Sequence, residues 1–454
     1  MATITTTATE LQTIPGAEER NGNDSNIQTN RDPQLSERDV QPSADAANVT
    51  TAIPDGGYGW IIVLSCSTLT FHFNGLTGSW GVLQAHLLED PLTGVPTSTV
   101  TFVGSLCVAL VVALGVFSIR LSRWIGARGS ALAGVTILGL AEVFSGFTTS
   151  NIGGLFGASG VMAGLGMCLL YAISNSLPTQ YFSSKLGTAN GLVKLGGGVG
   201  ATVLAVALEA LIQKVGIPWT FRILGFITLS TGLPAAWLIK ERAPTHNVPF
   251  LDLRMFRNVA YTSVSIAAAL GTFTLFVPPY FLPLVARSVG LSSGTGAALV
   301  AGFNGCTAVG RLASGPLCDK LGAANTFLMT MALSTLSMLA IWPFANNLGL
   351  LVVFAMLNGV ANGSFFVAMP TVVANMFPGR AALAMGQSIT GWTIGYLLGS
   401  PIAGYLLTAT GADQSGSIDA YRPAIFYSGV TALVSSLFVL LARLSLDRKL
   451  WKKV

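Results

Sequence analysis

From Gly59 onward the chain is cut into twelve apolar runs, beginning near Gly59, Thr97, Gly129, Ile152, Gly187, Trp219, Tyr261, Ser293, Thr326, Leu348, Leu383 and Arg422. A helix needs roughly 20 apolar residues to cross about 30 Å of hydrocarbon, and each run is of that order. Inside hydrocarbon every backbone N–H and C=O must find its partner within the segment, which leaves helices as the spanning form for such runs. Composition agrees, since 9% of the residues are charged against roughly 25% in a soluble domain. The chain therefore reads as an all-α integral membrane protein with twelve transmembrane helices, and the lipid bilayer is its first partner.

The stretch "PDGGYGW" (Pro54 to Trp60) marks where a polar leader meets the first run. Residues 1–54 are rich in Ser, Thr, Asn, Asp and Glu and bury too little to offset chain entropy, so a disordered cytosolic tail is expected. The leader has no basic start followed by a short apolar core, so the first span is expected to direct insertion. Tyr58 and Trp60 suit the headgroup level, while the glycines allow close helix approach. The five cysteines have neither a pairing rhythm nor metal-ligand spacing. No cofactor or metal is implied, and the net charge of +5 gives no ground for a nucleic-acid partner. No phosphate-binding glycine loop, nucleophile with base or HExxH-like pattern points to an enzyme.

Lys and Arg fall almost entirely on one side of alternating connections. Arg120, Arg123, Arg128, Lys185, Lys240, Arg242 and their counterparts in the second half face Lys214, Arg287 and Arg422. By the positive-inside rule both termini are expected in the cytosol, most simply beneath a plasma membrane.

The chain also repeats. Phe182, Ala189, Gly191, Gly196 and Gly200 recur at a constant offset of 195 as Phe377, Ala384, Gly386, Gly391 and Gly395. "RWIGARG" after the second span echoes "DKLGAAN" after the eighth, with Gly126 and Gly322 offset by 196. Two pseudo-symmetric six-helix bundles are predicted, at 55–239 and 259–444, joined by a basic linker at 240–258 and followed by a short basic tail at 445–454.

These features, with "YFSSKLGTANGLVKLGGGVG" (Tyr181 to Gly200), "FLDLRMFRN" (Phe250 to Asn258) and "NGCTAVGRLASGPLCDKLG" (Asn304 to Gly322), resemble the major facilitator superfamily. Within it they are most similar to the monocarboxylate porters, in particular the fungal members. The resemblance covers the chain from about Asp55 to its end. It implies the major facilitator fold and a secondary transporter that moves a small organic anion, foremost a monocarboxylate, by symport or facilitated diffusion. An exporter of an acidic natural product, a carrier of a neutral nutrient and a carrier-like nutrient sensor remain as alternatives. Oligomeric state is open, and a co-transported proton is a second candidate partner.

Charges inside spans are costly, at least about 2.5 kcal/mol each, and so tend to face a cavity or a partner. Lys194 on span five and Arg311 on span eight lie at similar depth, and neither is duplicated: the repeat offsets pair them with Ile389 and Gly115. That asymmetry favours a functional reading. The resemblance implies that Arg311 holds the substrate carboxylate, the alternative being a brace for the loop at Asp319. For Lys194 the alternative is snorkelling to the cytosolic surface.

Asn304, Tyr280, Asn358, Asn362 and Trp392 are further candidates for the solute path, Tyr280 lying where Pro278, Pro279 and Pro283 should break span seven. Asp55 is expected to cap the first helix or, as the resemblance implies, to couple gate and substrate. The resemblance also leads one to expect an acid four residues before Arg311, where this chain has Thr307. His72 and Glu142 are the substitutes for proton coupling; hydrogen-bonded structural roles are the alternative for both.

Overall fold

The structure is a computed structural model and describes residues 55–182, 185–242, 252–377, 380–410 and 418–448. The expected tail at 1–54, the centre of the linker and most of the basic C-terminal strip lie outside the described residues.

Among the described residues every regular element is helical. In chain order the membrane helices are α1 (Gly59–Glu89), α2 (97–125), α3 (127–145), α4 (Ile152–Tyr181), α5 (186–215), α6 (217–237), α7 (Val259–Ser288), α8 (Ser293–Leu321), α9 (Ala323–Phe344), α10 (Leu348–Met376), α11 (381–409) and α12 (Arg422–Leu446). These are the twelve expected runs. Among the described residues, seven helical segments are long and apolar enough to cross a membrane by length and hydropathy alone, one of them the 52-residue stretch that holds both α5 and α6. Helix α1 falls outside that set, and it buries the polar residues Ser65, Thr70, His72, Ser79 and Gln84 within the bundle.

The echo of Gly126 in Gly322 has a conformational cause. Gly126 (φ 75, ψ 160) turns α2 into α3, and Gly322 (φ 94, ψ 147) turns α8 into α9. A side chain resists such dihedrals, whereas glycine adopts them freely. The long stretch through α5 and α6 breaks in the same manner at Gly216.

The repeat is visible in packing as well. Thr70 on α1 donates to the Val193 carbonyl on α5 at 2.6 Å, and Tyr261 on α7 donates to the Ala384 carbonyl on α11 at 2.8 Å, both across 123 residues. The two pairs use one register. Helix α1 runs alongside α5 in the same direction and against α6, where Tyr58 meets the Leu238 carbonyl and His72 meets Thr228 and Thr231.

The proximal end of the bundle carries the start of α1 and the end of α12; the distal end carries the loops after α1, α3 and α7. At the distal end the first six helices are clasped to the last six. Gly81 on α1 packs against the backbone of Pro279 and Tyr280, and Gly404 on α11 packs against Ser98 on α2. Arg287 on α7 donates to the Ala85 carbonyl at 3.0 Å and pairs with Glu89. Midway, Asn304 donates to the Gly78 carbonyl at 3.0 Å. The most proximal of the described hydrogen bonds between the two sets joins Arg311 to the Lys194 carbonyl at 3.4 Å.

Asp55 does not cap α1. The cap position is Tyr58, and Asp55 lies three residues earlier at φ 49. Its amide donates to the Tyr181 carbonyl and its carboxylate accepts from the Lys185 amide, which ties the entry of α1 to the turn between α4 and α5. The turn "GGYG" separates the carboxylate from the helix's first free amides, and the Lys185 amide just before α5 supplies a donor.

Candidate functional site

Lys194 and Arg311 meet between the two sets of helices. Lys194 sits about 12 Å along α5 from its proximal start, at 1.5 Å per residue, and its ammonium donates to the Asn175 side-chain oxygen on α4. It also lies 5.4 Å from the centre of the Tyr171 ring. Asn175 is itself held in place, since its amide nitrogen donates to the Tyr171 carbonyl at 2.6 Å. The ammonium is therefore fixed inside the bundle. It does not snorkel to the proximal surface, because an amide oxygen and a π face replace water where it stands.

Arg311 approaches from α8. Its Nη1 donates to the Lys194 carbonyl, and its guanidinium carbon stands 5.3 Å from the centre of the Phe366 ring on α10. Its Nε finds no hydrogen-bond partner among the described residues. No carboxylate among the described residues forms an ion pair with either cation; the five ion pairs all lie elsewhere. Asp319, in the loop that the brace alternative assigns to Arg311, is exposed at the proximal end of α8.

Aromatic rings continue from this pair. Phe366 packs on Trp392 at 6.3 Å between ring centres, Trp392 on Tyr396 at 6.2 Å, Tyr396 on Phe276 at 5.4 Å and Phe276 on Tyr280 at 5.5 Å. The Trp392 Nε1, the Tyr280 hydroxyl and both amide atoms of Gln387 are buried without a hydrogen-bond partner among the described residues. Leaving a buried donor unpaired costs about 1 to 3 kcal/mol, and Trp392 and Tyr280 both lie on this line of rings. Phe276 interrupts α7 at φ −100 and ψ −5, just before Pro278 and Pro279, so the expected break is present.

The other candidates separate by what they touch. Asn362 donates to the Leu275 carbonyl, satisfying backbone freed by the α7 break, and Asn358 donates to Ser337. Asn304 bridges α8 to α1 and, at 3.4 Å, to the Ala201 carbonyl on α5. Thr307 donates to the Phe303 carbonyl of its own helix. His72 is held between Thr228 and Thr231 of α6, and the buried Glu142 faces Thr228. Both thus belong to the packing of α1, α3 and α6, away from the cation pair.

A group that the sequence did not bring together lies at the distal end. His86 on α1 stands 2.7 Å from Glu209 on α5 and 3.3 Å from Arg287 on α7. These residues are 123 and 201 positions apart, so only the parallel pairing of α1 with α5 and the distal clasp unite them.

The Major Facilitator Superfamily model matches residues 61–282 and 264–453. An MFS-type transporter of Gibberella moniliformis is 26% identical over 430 residues, covering 93% of this chain and 100% of that one. An aspyridones efflux protein of Emericella nidulans is 28% identical over 362 residues, covering 79% and 74%. Among solved structures the nucleoside transporter NupG superposes with a TM-score of 0.68 at 15% identity, covering 84% of this chain and 99% of that one. A bacterial Spinster homologue in an inward-facing state superposes at 0.65 and 16% identity, covering 88% and 100%.

Proposed function

Because the chain belongs to the Major Facilitator Superfamily, whose members are membrane transporters, we propose that it carries a small organic anion, foremost a monocarboxylate, by alternating access. The observation that carries the reading is the pair Lys194 and Arg311: two cations from opposite sets of helices, with no ion pair to a carboxylate among the described residues. Their mutual repulsion and desolvation oppose such an arrangement, and a bound carboxylate offsets both. The guanidinium offers its fork, and the ammonium a point charge. Charged hydrogen bonds of this kind contribute about 1.5 to 3 kcal/mol each.

The basic loops at the proximal end support a cytosolic location for that end, and with it both termini, by the positive-inside rule. The distal clasp then corresponds to closure toward the outside. Alternating access requires the clasp to part while the proximal ends close. With Thr307 bonded within its own helix, the anion is carried without an acid at that position, and the charge of Lys194 and Arg311 supplies the recognition.

A second reading is an exporter of an acidic natural product. The similarity to an aspyridones efflux protein favours it, as does the row of rings running from Phe366 to Phe276, which suits a larger, flatter anion. Counterflow in proteoliposomes holding only this protein separates the readings. Saturable counterflow of short monocarboxylates supports the first, and counterflow confined to large acidic solutes supports the second. Counterflow of neutral solutes alone contradicts both.

A further inference from the structure

The distal clasp is built around a histidine. His86 ends α1 with its ring nearly buried, between Glu209 of α5, whose oxygen lies 2.7 Å from Nε2, and Arg287 of α7, whose Nη2 lies 3.3 Å from Nδ1 and 3.4 Å from Nε2. Arg287 also pairs with Glu89 and donates to the Ala85 carbonyl, so a single guanidinium ties α7 to three points on α1. The remaining polar neighbours are Gln213, 3.2 Å from Glu209 and 3.4 Å from Ser293 of α8. Asp90 and Lys214 are exposed beside the group, and Asp419 and Arg422, which share a recess of about 670 Å³ with Arg287, pair with each other at 2.9 Å.

With a neutral imidazole, α1 and α5 present two carboxylates, Glu89 and Glu209, to the one guanidinium of Arg287. Nε2 lies 2.7 Å from Glu209, and the guanidinium Nη2 stands almost equally near both ring nitrogens, at 3.3 and 3.4 Å. Adding a proton to the ring sets a positive charge directly against that guanidinium. The new N–H has one acceptor at hand, Glu89, whose oxygen lies 3.6 Å from Nδ1. Arg287 holds the other oxygen of that carboxylate, so an imidazolium there offsets the negative charge that attracts the guanidinium. Protonation therefore tightens His86 against α1 and α5 while loosening α7, the partner across the clasp.

We infer that His86 is a proton-binding site that releases the distal clasp, making opening at that end responsive to the pH on its side of the membrane. The proton reaches it past Glu89, whose side chain is 58% exposed. This site is separate from the cation pair and does not depend on which anion is carried.

Spin labels at Val215 and Asn346, both exposed distal positions flanking the clasp, report its opening in lipid nanodiscs without any substrate. The longer-distance component is expected to grow about tenfold between about pH 8 and about pH 5. His86→Gln keeps a donor and an acceptor but binds no proton, and should remain closed across the range. Glu89→Gln, at an exposed position that folding tolerates, should raise the longer component already at the alkaline end. A pH response retained in His86→Gln, an unresponsive wild type, or an unchanged Glu89→Gln would each overturn the assignment.

Discussion

Replacing Arg311 by lysine keeps the charge between the helices and removes the fork. In the structure Nη1 is engaged with the Lys194 carbonyl and the guanidinium faces Phe366, while Nε is unpaired. A carboxylate seated there would take Nε and Nη2 together, the side of the fork that Nη1 leaves free. A lysine ammonium retains one charged hydrogen bond and loses the second, about 1.5 to 3 kcal/mol. It also loses about 0.5 to 1 kcal/mol of contact with the ring. Part of this returns because an ammonium reorients and recruits water, so a net loss of about 1.4 kcal/mol, or about tenfold in affinity, is a conservative expectation. The assay is the concentration dependence of counterflow for the best acid substrate at fixed pH, with insertion and monodispersity of the variant checked separately. Neutral analogues, if bound at all, should change far less. An unchanged apparent affinity in folded Arg311→Lys would refute the carboxylate anchor and return Arg311 to a brace between α5 and α8.

Three further outcomes follow from the same geometry. Asn175→Leu removes the acceptor that fixes the Lys194 ammonium, so anion affinity should fall by about tenfold, with protein yield retained; equal affinity would mean that Lys194 is not held for the solute. Gly363→Ala drives a methyl into the Thr307 carbonyl where α8 and α10 touch, and should cost about 1 to 3 kcal/mol, seen as a lower melting midpoint of the purified protein; an unchanged midpoint would show that the two helices part easily. Single cysteines at Leu253 and Thr93 should be labelled by membrane-impermeant reagents only from the proximal and distal sides respectively, and the proximal side should be the cytosol. The reverse pattern would invert the proposed orientation.

The spans were legible because a bilayer leaves so few options: length and apolarity placed all twelve helices near their observed starts. Gly126 and Gly322 were visible as a repeat, although what they do, a turn at positive φ, required the backbone. Asp55 misled because an acid before a helix suggests a cap, and nothing in "PDGGYGW" reveals that Asp55 is engaged by Lys185 and Tyr181 from the turn between α4 and α5. Lys194 and Arg311 were singled out by cost and by asymmetry, but their contact through a backbone carbonyl, and Asn175 as the holder of the ammonium, emerge only when α4, α5 and α8 converge. His86 stayed unnoticed for a similar reason. Alone at a helix end it is an ordinary interfacial residue, and its meaning lies in Glu209 and Arg287, which arrive from distant turns of the chain.

The role proposed for the cation pair is to select solutes by their negative charge. Its most direct test is counterflow by purified protein in sealed vesicles, comparing an organic acid with the amide of the same acid, a pair alike in shape and different in charge. Saturable counterflow of the acid, with the amide at the level of protein-free vesicles, is the predicted result. Equal counterflow of acid and amide would contradict it, because a site built on Lys194 and Arg311 cannot be indifferent to the charge those residues are placed to meet.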